Sequence, residues 1–410
     1  MAQDSKLSRR KALAMLGVAV TGGASMTTGA NAQTPAAGGP LASVATGPFS
    51  TQPWGPNARM AGSDFSVQRV TFKSQGLEVV GNLFVPSKPG RKPAIVVVGP
   101  VGFVKEQAPI QYASRLVRDG YVTLVFDPRY HGESQGEPRR LENGISKVED
   151  LGAALDYVLT RDDVDPARLH LLGVCQGVNW AIAASIADTR VRSLGVVAGH
   201  YLIPEVAAMY LGGPEKAAAR IAKGKAAEEK YKMTGHVDYI NIVSPTLVTP
   251  DPDALLTAPP IQMFYIRWAD RTPFLAHRGL WENRIPAMSE ATIWGHRIDE
   301  VMPRLKTPVM MVHADRAASG PQIPRKLFET IASANKELVW LGGQGQLQFY
   351  EDPLTIDQVV PTSRVSSAGH KNIFIVAAFQ IISRDHASES HGTVNRDHYY
   401  RQHHRQIGHL

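Results

Sequence analysis

A single cysteine, Cys175, stands among 410 residues. An intramolecular disulfide is thereby excluded, and the sulfur is either buried and inert or a thiol with a task. Long apolar runs are also scarce. The stretch from Ala12 to Met26 is short and is interrupted by Gly17, Gly22 and Gly23, whereas a membrane span needs about 20 consecutive apolar residues. No stable membrane span is expected. A basic stripe on the body is missing too. Of the net charge of +7, residues 1–32 carry +3 and residues 361–410 another +3, leaving +1 for 33–360. A nucleic-acid partner, which calls for basic charge gathered on the folded body, is excluded. With 43% hydrophobic, 20% charged and 7% aromatic residues, disorder, collagen and a disulfide scaffold are excluded as well.

The N-terminus reads as an address. Ser8-Arg9-Arg10-Lys11-Ala12-Leu13 precedes the weak apolar run, and Ala30-Asn31-Ala32 supplies a small-residue cleavage pattern. Charged start, apolar middle and A-x-A end are the parts of a secretory signal. The paired arginines resemble a twin-arginine export signal, with Ala12 where that pattern prefers Phe. Residues 1–32 are therefore expected to direct export to the periplasm or beyond. Residues 33–64, rich in Pro, Gly, Ala and Ser, are expected to be a linker.

Beyond the linker the chain alternates strands and helices. Val70–Lys73 and Leu77–Val85 predict an antiparallel pair around Ser74-Gln75-Gly76. Ala94–Val98, Val122–Phe126, Leu169–Val174 and Leu194–Ala198 are continuous apolar runs, as expected of strands covered on both faces. Helices are predicted between them at Ile110–Asp119, near Val148–Val158 and at Asn179–Ala187. This rhythm means a doubly wound, mostly parallel α/β sheet. It breaks over residues 202–300, where a helix near 215–233, a Pro-broken stretch at 245–260 and an aromatic patch (Phe264, Tyr265, Trp268, Phe274, Trp281) occur. It resumes with Val309–His313, a helix near Lys326–Ala334 and Glu337–Leu341. The organisation expected is a core of 65–201 and 301–358, a mainly helical cap inserted at 202–300, and a divergent tail at 359–410.

Gly173-Val174-Cys175-Gln176-Gly177 lies between a buried strand and a helix, in the form G-x-nucleophile-x-G. A sharp turn strains the central residue and requires small neighbours. The helix that follows aims the positive end of its dipole at the thiol, which favours thiolate. The alternative is a small buried apolar residue.

From here the chain resembles the α/β-hydrolase superfamily over most of 65–358, and within it the dienelactone-hydrolase-like members with a Cys nucleophile. Val104-Lys105-Glu106-Gln107, the run from Phe126 to Ser134, Gly173–Gly177, the run from Val312 to Asp315 and the run from Phe349 to Asp352 carry the resemblance. It implies an eight-stranded core, a cap over the site, and ester or thioester chemistry without cofactor. It makes Cys175 the nucleophile and Asp315 the acid. It places the oxyanion donors at the backbone N–H groups of Gln176 and of Val101 or Gly102. The third member of the triad departs from the pattern, because Gln346 stands where His is expected. His200, after the strand that follows the nucleophile helix, ranks first as substitute base, ahead of His313 and His370; His131 is expected to be structural. Phe264, Tyr265, Trp268 and Trp281 are candidates to hold a small apolar or aromatic acyl group, or to form the core of the cap. Residues 361–410 hold half of the chain's 14 His, but without H-x-x-x-H on an apolar face, so no metal site is expected. The function expected is a hydrolase or acyl transferase acting through a Cys175 acyl-enzyme on a small ester or thioester. The alternative is a non-catalytic ligand-binding descendant.

Overall fold

A computed structural model describes residues 64–246, 248–269 and 281–360. The export signal, the linker before Asp64, Phe274, His370 and the tail from residue 361 lie outside the described residues.

Strands β1 (Phe65–Ser74) and β2 (Leu77–Pro86) form an antiparallel hairpin in which Ser74 pairs with Leu77. Gln75 and Gly76 both take positive φ, 49° and 82°. Two consecutive left-handed residues are what the tight turn of a right-twisted hairpin needs. The core then alternates β3 (Lys92–Val98), α1 (Ala108–Leu116), β4 (Val122–Phe126), α2 (Gly144–Val158), β5 (Val164–Val174), α3 (Gly177–Ala187) and β6 (Val191–Val197). Helix α2 starts where the Asn143 side chain accepts the Ser146 N–H, satisfying one of the free donors of its first turn.

Between β6 and the next core strand come α4 (Pro204–Leu211), α5 (Pro214–Thr234), β7 (Tyr239–Ile240), α6 (Pro259–Ala269), β8 (Ile285–Pro286), α7 (Ser289–Trp294) and α8 (Ile298–Val301). Strands β7 and β8 pair with each other and not with the main sheet. Helix α5 crosses α7 at Gly224, where a Cβ would stand 2.5 Å from the Ala291 nitrogen. The core closes with β9 (Val309–His313), α9 (Gln322–Thr330), β10 (Lys336–Trp340), α10 (Gln348–Glu351) and α11 (Pro353–Val359).

The main sheet has eight strands in the order β1-β2-β4-β3-β5-β6-β9-β10. Strand β2 runs antiparallel to both neighbours; the other pairs are parallel. Strands β3, β4, β6 and β9 and the second half of β5 are almost wholly buried, which is why their sequences are apolar runs and not alternations. The chain leaves β3 for β4 on one side and comes back to β5 on the other. Strand order reverses there, and the loops after β3 and β5 flank a crevice at the carboxyl edge of the sheet. Those two loops carry Val101 and Cys175. Among the described residues no helix is long and apolar enough to cross a membrane.

Candidate active site

Cys175 sits between β5 and α3 with φ of 57°, a conformation costly for a residue with a Cβ. The turn tolerates nothing larger than glycine on either side. A Cβ on Gly173 would lie 2.8 Å from the Gly177 carbonyl oxygen, and one on Gly177 would lie 2.6 Å from those of Val98 and Gly99. The main chain fixes the bend further. Cys175 N–H donates to the Val197 carbonyl at 3.0 Å, and its own carbonyl accepts from His200 N–H at 3.1 Å.

The sulfur is buried and faces four donors: the Tyr350 hydroxyl, the backbone N–H groups of Gln176 and Val101, and the Gln346 carboxamide. Burial pushes the thiol up to about 11, and these donors pull against it without overcoming it. The expectation of a partly ionised thiol is therefore corrected. One helix dipole and several hydrogen bonds do not offset removal of the charge from water. Tyr210, Tyr265 and Tyr350 lie close enough to the sulfur to be coupled to its ionisation, and all remain phenols, because burial raises each.

Gln346 is clamped by its own amide. Its Oε1 accepts the Ala318 N–H at 2.6 Å, and its Nε2 donates to the Ala198 carbonyl at 2.9 Å and to the Tyr350 oxygen at 3.1 Å. The other expected members of the site do not join it. Asp315 is exposed and accepts the Trp340 indole N–H at 2.9 Å. It makes no hydrogen bond to Gln346 or to any histidine among the described contacts. His313 is buried with both ring nitrogens against carbonyl oxygens, of Ala314 at 3.0 Å and Gly199 at 3.3 Å. His200 touches the elbow through its main chain, whereas its ring packs on Tyr210 and Trp294, with centroids 4.7 and 6.1 Å away. Its Nε2 has no hydrogen-bond partner.

Burial lowers His200 to about 4. The folded ring is neutral where the unfolded one, titrating near 6.5, is charged, so its contribution to stability is full above about 6.5 and is lost as pH falls toward 4. His200→Phe should flatten the fall of unfolding free energy over that interval by about one proton. Urea titrations at several pH values check this; equal slopes in the two proteins would show that the ring titrates normally.

The loop expected to supply oxyanion donors is held by more side chains than sequence suggested. Val101 N–H faces the sulfur, whereas Gly102 N–H is committed to Glu142 Oε1; of the two candidate donors, only the first is free for the site. Tyr265 donates its hydroxyl to the Val101 carbonyl at 2.8 Å, and Trp281 Nε1 donates to the Gly102 carbonyl at 2.7 Å. These two rings stack at 5.4 Å and 18°. Phe264 packs edge-on against Tyr265 and Tyr350, and Trp268 is buried beside it. Phe264, Tyr265, Trp268 and Trp281, expected either as acyl-group wall or as cap core, are buried and interlocked. A cavity of about 630 Å³ opens elsewhere, on the cap between α5 and the β7–β8 pair, lined by Lys223, Lys230, Asp238, Arg284 and neighbours; it shares no lining residue with the surroundings of the sulfur.

Two buried charge clusters brace this arrangement. Glu142 is held down to about 2: burial opposes its charge, but Lys147, at 2.7 Å, and His131, at 3.3 Å, outweigh burial. His131, expected to be structural, is buried beside Glu142 in this cluster. In the second cluster Lys105 pairs with Glu106, Asp127 and Glu133 at 2.9, 2.8 and 2.5 Å. The motifs Val104–Gln107 and Phe126–Ser134 therefore meet as a buttress beneath the loop. Glu142 and Tyr210 escaped the sequence reading, since no local pattern marks them. Tyr350 lay within a quoted motif but was given no role. Among the described residues no group of His, Cys, Asp and Glu is placed to hold a metal.

No family model matches the chain. It is 43% identical to the uncharacterized protein YcjY of Escherichia coli over 104 residues, 25% of this chain and 34% of that protein. It is 33% identical to thiohydrolase aneE of Aspergillus aculeatus over 117 residues (28% and 36%), and 28% identical to acyltransferase drtE of Aspergillus calidoustus over 134 residues (32% and 44%). The matched segments thus span about a third to two fifths of these relatives. Among solved structures, the hypothetical protein PA2218 from Pseudomonas aeruginosa superposes with a TM-score of 0.60 at 24% identity, covering 75% of this chain and 95% of that one. The α/β hydrolase GrgF from Penicillium sp. sh18 superposes with a TM-score of 0.58 at 25% identity, covering 69% and 92%. Sheet order, the strained turn at Cys175 between β5 and α3, and these likenesses agree: the chain has the fold of the α/β hydrolases.

Proposed function

We propose that this protein takes an acyl group from a small thioester onto Cys175 and releases it slowly, as a thioester hydrolase or acyl transferase of the dienelactone-hydrolase-like kind. The reading rests above all on one observation. A strained elbow cysteine presents its sulfur to two main-chain N–H groups, of Gln176 and Val101, the arrangement that stabilises an oxyanion developing beside the nucleophile.

In the reaction the thiol loses its proton to solvent base, and the sulfur forms a bond to the acyl carbon. The carbonyl electrons move onto oxygen, where the two N–H groups receive them. They return as the bond to the leaving group breaks, and the leaving group departs with its electron pair. Gln346 cannot protonate that group, because an amide has no acidic proton to give at neutral pH. Thiolates leave unassisted and alkoxides need a proton, so the missing imidazole favours thioesters over alkyl esters. The name of aneE, thiohydrolase, is in keeping with this choice, and that of drtE, acyltransferase, with the alternative acceptor. Buried and unpartnered, the Gln176 carboxamide, next in the chain to Cys175, is a group that a bound acyl donor would satisfy.

A second reading, a binding protein without turnover, is favoured by the neutral thiol and by the position of Asp315. Rapid mixing with S-phenyl thioacetate separates the two. Acyl transfer gives a burst of thiophenol equal to the protein present, followed by slow turnover, and Cys175→Ala abolishes the burst. Thiophenol release no faster with the wild-type protein than with Cys175→Ala, in burst and steady state alike, would leave only the binding reading.

A further inference from the structure

Two aromatic residues of the cap have a task that lining a pocket does not explain. The carbonyl of Val101 and the N–H of Gly102 belong to one peptide plane. A plane held at one end can flip. This one is held at both ends, by the Tyr265 hydroxyl on its oxygen and by Glu142 on its nitrogen. The next carbonyl, of Gly102, is taken by Trp281 Nε1. Gly102 itself has φ of 61°, and a Cβ there would meet Ile242 at 2.9 Å. No polar group of this two-residue stretch is left to water except the Val101 N–H, which faces the sulfur. Glu142 is tied in turn by Lys147 and His131. Tyr265 and Trp281, stacked on each other, are buried to 1% and 3% exposure, and their hydrogen bonds to the loop are made out of water.

We propose that Tyr265 and Trp281 are positioning residues: Tyr265 and Glu142 hold the Val101–Gly102 peptide, Trp281 holds the peptide after it, and together they fix the loop at Val101 so that its N–H is aimed at the oxygen of the reacting carbonyl. The oxyanion site is then assembled jointly by the core and the cap, and a cap that lifted would disarm it. The inference rests on the acyl-transfer reading above.

Tyr265→Phe and Trp281→Phe each keep a ring in the stack and delete one hydrogen bond to the loop. Misplacing one oxyanion donor costs on the order of tenfold to a hundredfold in rate. Each variant should therefore lower the maximal rate of acylation by S-phenyl thioacetate by about that factor, with the half-saturating concentration unchanged. Alkylation by iodoacetamide, which forms no oxyanion, serves as the internal reference and should fall far less. The double variant should lose little more than the worse single one, because both act on adjoining peptides of one loop. A raised half-saturating concentration with an unchanged maximal rate would make these rings substrate wall and overturn the proposal. So would acylation and alkylation falling together, which marks general disruption. Should the wild-type protein form no acyl-enzyme, the acyl-transfer reading fails first. Wild-type acylation with both variants unimpaired defeats the loop inference alone.

Discussion

Gln346→His should raise thioester turnover about a hundredfold, the low end of what a general base contributes. The position is already built for a ring nitrogen. Gln346 is buried, its Nε2 lies 2.9 Å from the Ala198 carbonyl and 3.1 Å from the Tyr350 oxygen, and its carboxamide reaches the sulfur. An imidazole there could donate one N–H to Ala198 and present its other nitrogen to the thiol. A thiol–imidazole pair ionises far more readily than a thiol alone, and the same ring would activate water against the acyl-enzyme. The gain should stop short of the full range because Asp315, turned outward onto Trp340, would not orient the ring. A sigmoidal pH–rate profile should appear with the gain, and Cys175→Ala in the same background should abolish both. Unchanged turnover in a folded Gln346→His protein would show that the site is arrested by something other than the missing base.

Alkylation of Cys175 by iodoacetamide should accelerate by about tenfold per pH unit from pH 7 to about 10, a thousandfold in all, since only the thiolate reacts. With the thiol pushed up to about 11 by burial, roughly one molecule in ten thousand carries thiolate at pH 7. Stability should move in the same window. The unfolded thiol ionises near 8.5, so the stability due to the neutral buried form is complete below about 8.5 and is lost as pH rises toward 11. Because this is the chain's sole cysteine, the label reports a single site. A rate that levelled off below pH 8 would mean that the N–H groups and the α3 dipole prevail over burial, contrary to the electrostatics described above.

The fold was legible wherever the signal was local. The β1–β2 hairpin follows from alternation and the Gln75-Gly76 turn, and β3 to β6 from apolar runs that only doubly covered strands produce. Helix α9 lies at Gln322–Thr330, several residues before the expected Lys326–Ala334, because Pro321 and Pro324 suit a first turn and misled the boundary. The short cap helices α4, α7 and α8 passed unmarked, since helices of four to eight residues complete too few turns to show a period. In the site, the elbow was readable because its demand for glycine on both sides is a demand on five consecutive residues. Asp315 and His200 were placed by strand-end position. Position brings a Cα near the crevice but does not say where a side chain turns: Asp315 turns to solvent and the His200 ring to Tyr210. Glu142, Tyr265 and Trp281 act on the loop from 40, 164 and 179 residues away, and no local pattern records a contact at that range.

The most direct test is mass spectrometry of the Cys175 peptide after brief exposure to S-phenyl thioacetate and acid quench. A single acetyl group on Cys175, slow to disappear in the wild-type protein and quickly lost in Gln346→His, is the predicted result. An unmodified Cys175 peptide, from protein whose thiol is still alkylated by iodoacetamide at pH 9, would contradict it.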